Sequence, residues 1–276
     1  MRNTIRLTEY TTENLIEIFH IADDLQKGKY KNFLEGKTVI MFFPASSLRT
    51  RVTFEKGIYQ LGGQTILFPP ETLDKKEKLE DVTGYLNNWA DAVVVRHSKL
   101  GVLEEMAKYA EFPVINAMTE VNHPCEILSD LYSLSKIRND FRSDSYLFVG
   151  AKGNIGGAWT EAANAFGLNF RQCCPPGYEM DGVSNISELV KAVKGVDIIC
   201  TDSLPSEVYP DFKDYQITVD IMKMANNKAI LNPCPPFYRG EEVSEDVIGS
   251  EYFVGYNFKK YLLEIQQAIL IYNLTR

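Results

Sequence analysis

Phe42-Phe43-Pro44-Ala45-Ser46-Ser47-Leu48-Arg49-Thr50-Arg51 is the stretch on which the reading of this chain turns. The apolar run Thr38 to Phe43 predicts a buried strand, and Pro44-Ala45 a turn. A helical pattern then opens, carrying Val52, Phe54, Ile58 and Leu61, and closes on Gly62-Gly63. Two hydroxyls, two guanidiniums and several unpaired backbone N–H groups therefore gather at the mouth of one helix. Such a mouth binds phosphate, because open amides and the positive end of the helix dipole converge there. The bland alternative for Arg49 and Arg51 is a solvated first turn with ordinary salt bridges. It fits poorly, since the helix dipole disfavours cations at an N-terminus.

Outward from this stretch, helical and strand patterns alternate, which predicts α/β layers built on parallel sheets. Leu15, Ile18, Phe19, Ala22 and Leu25 recur at helical spacing and give an amphipathic first helix. Gln64–Phe68 is a short apolar stretch, and a helix is expected through Val82, Leu86 and Trp89. Ala92-Val93-Val94-Val95 reads as a strand covered on both faces, and Pro113–Asn116 as another. A second α/β unit begins near Ser145, with strands at Tyr146–Gly150, Asn169–Cys174 and Val196–Cys200 and a helix around Ile186–Val193. A last helix is expected near Lys259–Tyr272.

At 276 residues the chain can hold two medium domains. With 45% hydrophobic and 24% charged residues, its composition is that of a soluble enzyme. A net charge of −8 argues against nucleic acid as a partner, so any anion site must be a local concentration of Arg and Lys. Met1–Tyr10 lacks the apolar core of a signal peptide, and no apolar run approaches the roughly 18 residues a membrane span needs. Five cysteines (Cys125, Cys173, Cys174, Cys200 and Cys234) show neither metal-ligand spacing nor a disulfide framework. The expectation is a cytoplasmic protein without membrane contact.

Two later signals give the first one weight. Arg96 stands just past a buried strand, and His123-Pro124-Cys125-Glu126 opens another helix, with Pro at its first position. Ser47-Leu48-Arg49-Thr50-Arg51, Arg96 and His123-Pro124, in that order, resemble the aspartate/ornithine carbamoyltransferase family. The resemblance runs along nearly the whole chain. It implies two doubly wound parallel-sheet domains joined by a long helix, here Glu126–Lys136, with the C-terminal helix returning to the first domain. Residues 1–137 with 257–276 would bind carbamoyl phosphate, and 138–256 the acceptor. Ser47, Leu48 (through its backbone), Arg49 and Thr50 would hold the phosphate. Arg96 and His123 would bridge phosphate and carbonyl, with Arg49, Thr50, Arg96 and His123 as the catalytic set. His20 and His97 are read as structural.

Departures from the family pattern are specific. Glu126 stands where the family has a Gln that accepts from the carbamoyl amide, and Leu48 where a Thr is usual. Leu262 aligns with a family Arg, and neither Lys259 nor Lys260 matches its spacing. Lys75 aligns loosely with a Lys that reaches a neighbouring subunit's site, and a solvated loop charge explains it equally well.

Phe148–Ile155 resembles the ornithine branch, which makes Asn154 an acceptor ligand. The same resemblance assigns Asp197 to the acceptor's α-amino group, and Cys234 and Pro235, in Asn232-Pro233-Cys234-Pro235-Pro236, to the loop that orients the attacking amine. The implied reaction is carbamoyl transfer from carbamoyl phosphate to an ornithine-like amino acid, in a homotrimer with sites at subunit interfaces, needing neither metal nor cofactor. A silent or regulatory paralogue is the competing reading, carried by Glu126, Leu262 and Pro233. A nucleotide-dependent oxidoreductase is disfavoured. Gly150-x-x-Gly153-x-x-Gly156 lacks the Gly-x-Gly start, and no acidic residue ends the following strand.

Overall fold

Val39–Phe42 is buried along its whole length, as a strand sandwiched between helix layers must be. In the computed structural model, which describes residues 2–276, this segment is β1 (Thr38–Phe42). It pairs in parallel with β2 (Gln64–Phe68) on one side and β3 (Ala92–Arg96) on the other, and β4 (Val114–Met118) pairs beyond β3. The order β2-β1-β3-β4 means the chain winds first one way from β1 and then the other. Helices α1 (Thr12–Gln26), α2 (Arg49–Gln60), α3 (Leu79–Leu86) and α4 (Leu100–Tyr109) flank the sheet or connect its strands, and α5 (Pro124–Ile137) follows β4.

The second sheet repeats the plan. β5 (Ser145–Val149), β6 (Asn169–Cys173), β7 (Ile198–Thr201) and β8 (Ile230–Pro233) are parallel in the order β6-β5-β7-β8. α6 (Asn154–Phe166) connects β5 to β6. The single turns α7 (Leu189–Ala192), α8 (Val219–Met222) and α9 (Glu245–Ile248) lie in the later connections. The last helix is α10 (Leu262–Thr275). The fold class is thus α/β with two doubly wound parallel sheets.

Two compact units result. One runs through Ser133 and takes back Lys259–Arg276, and the other is Leu134–Phe258. The chain passes from the first to the second within α5. In the first unit, Ile40, Phe42, Val93, Val95 and Val114 form a core with Leu103 and Met106 of α4. α10 is buried on nearly every side against α1 and α2, and its buried residues include the polar Gln266, Gln267 and Asn273 beside Leu262, Ile265, Ile269 and Ile271. Gln267 Nε2 donates to Gly57 O over 2.9 Å. In the second unit, Leu147, Val149, Ile199, Leu231 and Val247 form a separate core.

Several expectations move. Trp89 lies beyond the end of α3 and is 65% exposed, and the helix around 186–193 shrinks to one turn. The last helix starts at Leu262 rather than Lys259, preceded by the 3-10 segment Tyr256–Tyr261. Among the glycines that follow β5, Gly156 in the first turn of α6 serves packing. A Cβ on Gly156 would lie 2.5 Å from Met180 Sδ and 3.0 Å from Phe148, so only Gly lets α6 approach so closely.

Candidate active site

The mouth of α2 is open by construction. Its N-cap is Leu48, which has no side-chain oxygen to cap the first turn, and that turn holds no acidic residue. Ser47 and Thr50 are buried, whereas the Leu48 side chain is 67% exposed and offers only its backbone. The two arginines part company. Arg51 Nε donates to Glu55 Oε1 over 2.7 Å, an ordinary (i, i+4) pair. Arg49 makes no such pair among the described residues.

Arg96 ends β3, the strand beside β1. The sheet register slips between Val95 and Arg96, so that Arg96 stands opposite Met118. Irregularities of this kind re-aim a side chain. Arg96 Nη1 donates to Ser47 Oγ over 3.1 Å. β1 and β3 are the strands between which the winding reverses, and ligands of open α/β sheets sit outside the carboxyl ends at that crevice. A cavity of about 300 Å³ opens beside Arg96, lined also by Pro44, Glu71, Asp74, His97 and Glu120; Ser47, Arg49 and His123 are not in its wall.

His123 reaches the same region from the start of α5. A buried polar network holds its entry: Asn116 Nδ2 donates to Asn122 Oδ1 over 2.6 Å, and Asn122 Nδ2 to Ile5 O over 3.0 Å. Nothing in the sequence pattern singled these residues out. Burial pushes the His123 pKa down to about 4; Glu126 opposes the shift, while Arg96 and Lys259 add to it. The ring is therefore neutral at physiological pH, and its Nδ1 is buried without a hydrogen-bond partner. His97, by contrast, is fixed structurally between Asp74 Oδ2 at 3.1 Å and the Lys99 N–H, and His20 is exposed on α1.

Glu126 is buried one turn into α5. Lys259 Nζ donates to Glu126 Oε1 over 2.9 Å and to the Asp130 carboxylate over 2.6 and 2.8 Å. Burial alone would raise the Glu126 carboxyl, but the Lys259 ammonium above all, with Arg49, outweighs it and holds the group below its ordinary range, as a carboxylate. The spacing argument that set Lys259 aside is therefore corrected. The 3-10 segment before α10 brings its ammonium where alignment by helix position does not. Leu262 is buried in the core, and Lys75 is exposed after the turn Pro70–Asp74.

In the second unit the corresponding reversal lies between β5 and β7. Asn154, the first residue of α6, follows β5, and Lys152 beside it is tied to Asp181 at 2.7 Å. Cys234 and Pro235 follow β8, with Cys234 N bonded to Thr201 O at the end of β7. These three residues lie past the carboxyl ends of their strands.

Asp197 does not. It precedes β7, at the amino end. Its carboxylate accepts from Ser145 N and Asn226 Nδ2, both at 2.9 Å, and lies 3.9 Å from Arg138. Its assignment to the acceptor is corrected: it splices the starts of β5 and β7. Asp202 occupies the expected place, directly after β7 and half-buried, with Oδ1 accepting from Ser203 N over 2.9 Å. The overlooked signal was strand direction, since only residues after a parallel strand face the ligand end. A larger cavity of about 510 Å³, lined by residues such as Lys223, Asn226 and Glu251, lies at the amino edge with Asp197, away from Asn154 and Asp202.

Comparison with known proteins gives the family. Residues 2–136 match the family model for the aspartate/ornithine carbamoyltransferase carbamoyl-P binding domain, and residues 144–273 that for the Asp/Orn binding domain. An ornithine carbamoyltransferase of Hydrogenovibrio crunogenus is 30% identical, covering 100% of this chain and 99% of that protein. One from Desulfotalea psychrophila is 31% identical, covering 96% of each. The structure of ornithine carbamoyltransferase from Pyrococcus furiosus superposes with a TM-score of 0.93 at 30% identity, over 99% of this chain and 97% of that one. With two family domains matched along nearly its whole length, the chain belongs to the aspartate/ornithine carbamoyltransferase family.

Proposed function

We infer that this protein is a carbamoyltransferase that moves the carbamoyl group of carbamoyl phosphate to the side-chain amine of ornithine or a close analogue, releasing phosphate. The observation that carries this is the Arg96–Ser47 contact at the strand reversal, which couples a guanidinium to an open helix mouth. Arg49, the amides around Leu48 and the hydroxyls of Ser47 and Thr50 suit a phosphate dianion. Arg96 and an N–H of neutral His123 suit the carbonyl oxygen. A neutral imidazole polarises it by hydrogen bonding and leaves the phosphate to the arginines. The amine nitrogen attacks the carbamoyl carbon, the carbon–oxygen bond to phosphate breaks, and the departing phosphate takes the amine proton. Proximity and fixed donors supply the rate enhancement.

The second unit would hold the acceptor through Asn154, Asp202 and the carbonyls around Cys234 and Pro235. Asp202 is the carboxylate suited to an α-ammonium group. The relatives named above are all ornithine carbamoyltransferases, which favours an ornithine skeleton and disfavours the silent-paralogue reading. We further propose a homotrimer. Val52, Tyr59 and Ile66 on α2 and β2 are 53%, 80% and 45% exposed, an apolar face that other copies would cover. No helix among the described residues is long and apolar enough to cross a membrane, and none of the five cysteines is joined in a disulfide, in keeping with a cytoplasmic site of action.

The test is a mass-spectrometric search for ureido products. Purified protein and carbamoyl phosphate are incubated with ornithine, its N-acyl forms, aspartate, putrescine, lysine and 2,4-diaminobutyrate. Citrulline or a close analogue is expected. Absence of product from every amine would overturn the proposal.

A further inference from the structure

Lys259, Glu126 and Asp130 form a buried charged triad whose three side chains are 18%, 7% and 2% exposed. Such an arrangement calls for an explanation, because an ion cluster in the interior gains little stability over apolar residues of the same volume. Two carboxylates share one ammonium, leaving a net charge of −1 beside an anion site. Lys259 binds Glu126 through Oε1 alone, and Glu126 Oε2 takes no hydrogen bond among the described residues. Asp130, by contrast, meets the ammonium with both oxygens. One acceptor oxygen is thus uncommitted, on a carboxylate within electrostatic reach of Arg49 and His123.

Carbamoyl phosphate offers hydrogen-bond donors only at its amide. A carboxylate oxygen within the donor site can therefore meet this ligand favourably only there. Everywhere else on the ligand it faces oxygen. We propose that Lys259 is a positioning residue of the donor site, holding Glu126 charged and oriented so that Oε2 accepts from the carbamoyl amide. Lys259 also offsets the repulsion between this carboxylate and the phosphate, and Asp130 fixes the ammonium in place. A residue 133 positions away in sequence thereby completes the pocket. The charged and titratable groups around Glu126 are Arg49 from α2, Arg96 from β3, His123 with Cys125 and Asp130 around α5, and Lys259.

This inference rests on the carbamoyl-transfer reading, and steady-state kinetics separates the two. If the wild-type enzyme forms no ureido product, the reaction assignment fails. If it does, Lys259→Met is expected to raise KM for carbamoyl phosphate about tenfold or more, with a smaller change in kcat. Without the ammonium, Glu126 titrates at higher pH, so kcat/KM for the donor should gain a new fall on the acid side. Glu126→Gln/Lys259→Met should lose that acid limb and recover much of the donor KM. Lys259→Arg should stay near wild type. Lys259→Met with wild-type KM and pH profile would overturn the proposal, as would a double variant that keeps the acid limb. If Lys259→Met does not fold, the same comparison is made in the Asp130→Asn background, which removes the second stranded carboxylate.

Discussion

Arg96 Nη1 lies 3.1 Å from Ser47 Oγ, joining the carboxyl end of β3 to the mouth of α2. Arg96 ends β3 and Ser47 lies in the turn after β1, the two strands between which the sheet reverses, so the contact spans the crevice where a ligand of this fold sits. The guanidinium and the hydroxyl fix each other's place, which on the proposed reading spares reorganisation during reaction.

Removing either end of that contact should be felt in donor binding and turnover. Arg96→Ala is expected to lower kcat/KM for carbamoyl phosphate by roughly 10²–10³, the loss typical of one electrostatic donor. Arg49→Ala should abolish measurable donor binding by calorimetry, whereas Arg51→Ala, which breaks only a pair with Glu55, should leave it intact. Equal effects at 49 and 51 would show that the site is misplaced.

His123 makes a prediction about pH. Its folded pKa of about 4 lies below the ordinary 6.5, so the unfolded chain binds the proton more readily in between. The neutral ring's contribution is complete above pH 6.5 and is lost as pH falls towards 4, reaching about 3 kcal/mol at the limit. Urea unfolding of wild type and His123→Asn at pH 7 and pH 4.5 should show a steeper loss for wild type. Parallel losses would mean the imidazole is not held neutral. The same substitution should lower kcat by about 10² or more, since a carbonyl-polarising donor is altered.

The open mouth of α2 was legible in the sequence because its residues are local. A strand end, a turn and a first helical turn lie within ten consecutive residues, from Phe42 to Arg51. Lys259 was not, because its partners are fixed by the docking of α10 and not by spacing along any one element. The Asn116–Asn122 network was equally silent, since buried amides leave no periodic signature. The fold itself was readable from continuous apolar strands such as Ala92–Val95. The reduction of a helix to the single turn Leu189–Ala192 was not, as tertiary packing decides so short an element.

Asp197 and Asp202 flank one short strand, and their substitutions should separate binding from stability. Asp202→Asn is expected to raise KM for the acceptor about tenfold or more while donor affinity and Tm stay near wild type. Asp197→Asn should leave both KM values unchanged and lower stability by about 1–3 kcal/mol, because the charged acceptor for Ser145 N–H and Asn226 is weakened. The reverse pattern would return the acceptor site to the amino end of β7.

Gly156 tests whether the glycines after β5 serve packing rather than phosphate binding. Gly156→Ala would place a methyl 2.5 Å from Met180 Sδ and 3.0 Å from the Phe148 ring. Met180 can shift, but Phe148 is fully buried in β5 and has little room, so α6 must move outward. The expected cost is about 1–3 kcal/mol. Because Asn154 opens the same helix, that movement should also raise KM for the acceptor, with KM for carbamoyl phosphate unchanged. Met180→Ala in the same chain removes the closer of the two clashes and should restore part of the loss. A double variant no more stable than Gly156→Ala would show that Phe148 alone sets the approach of α6.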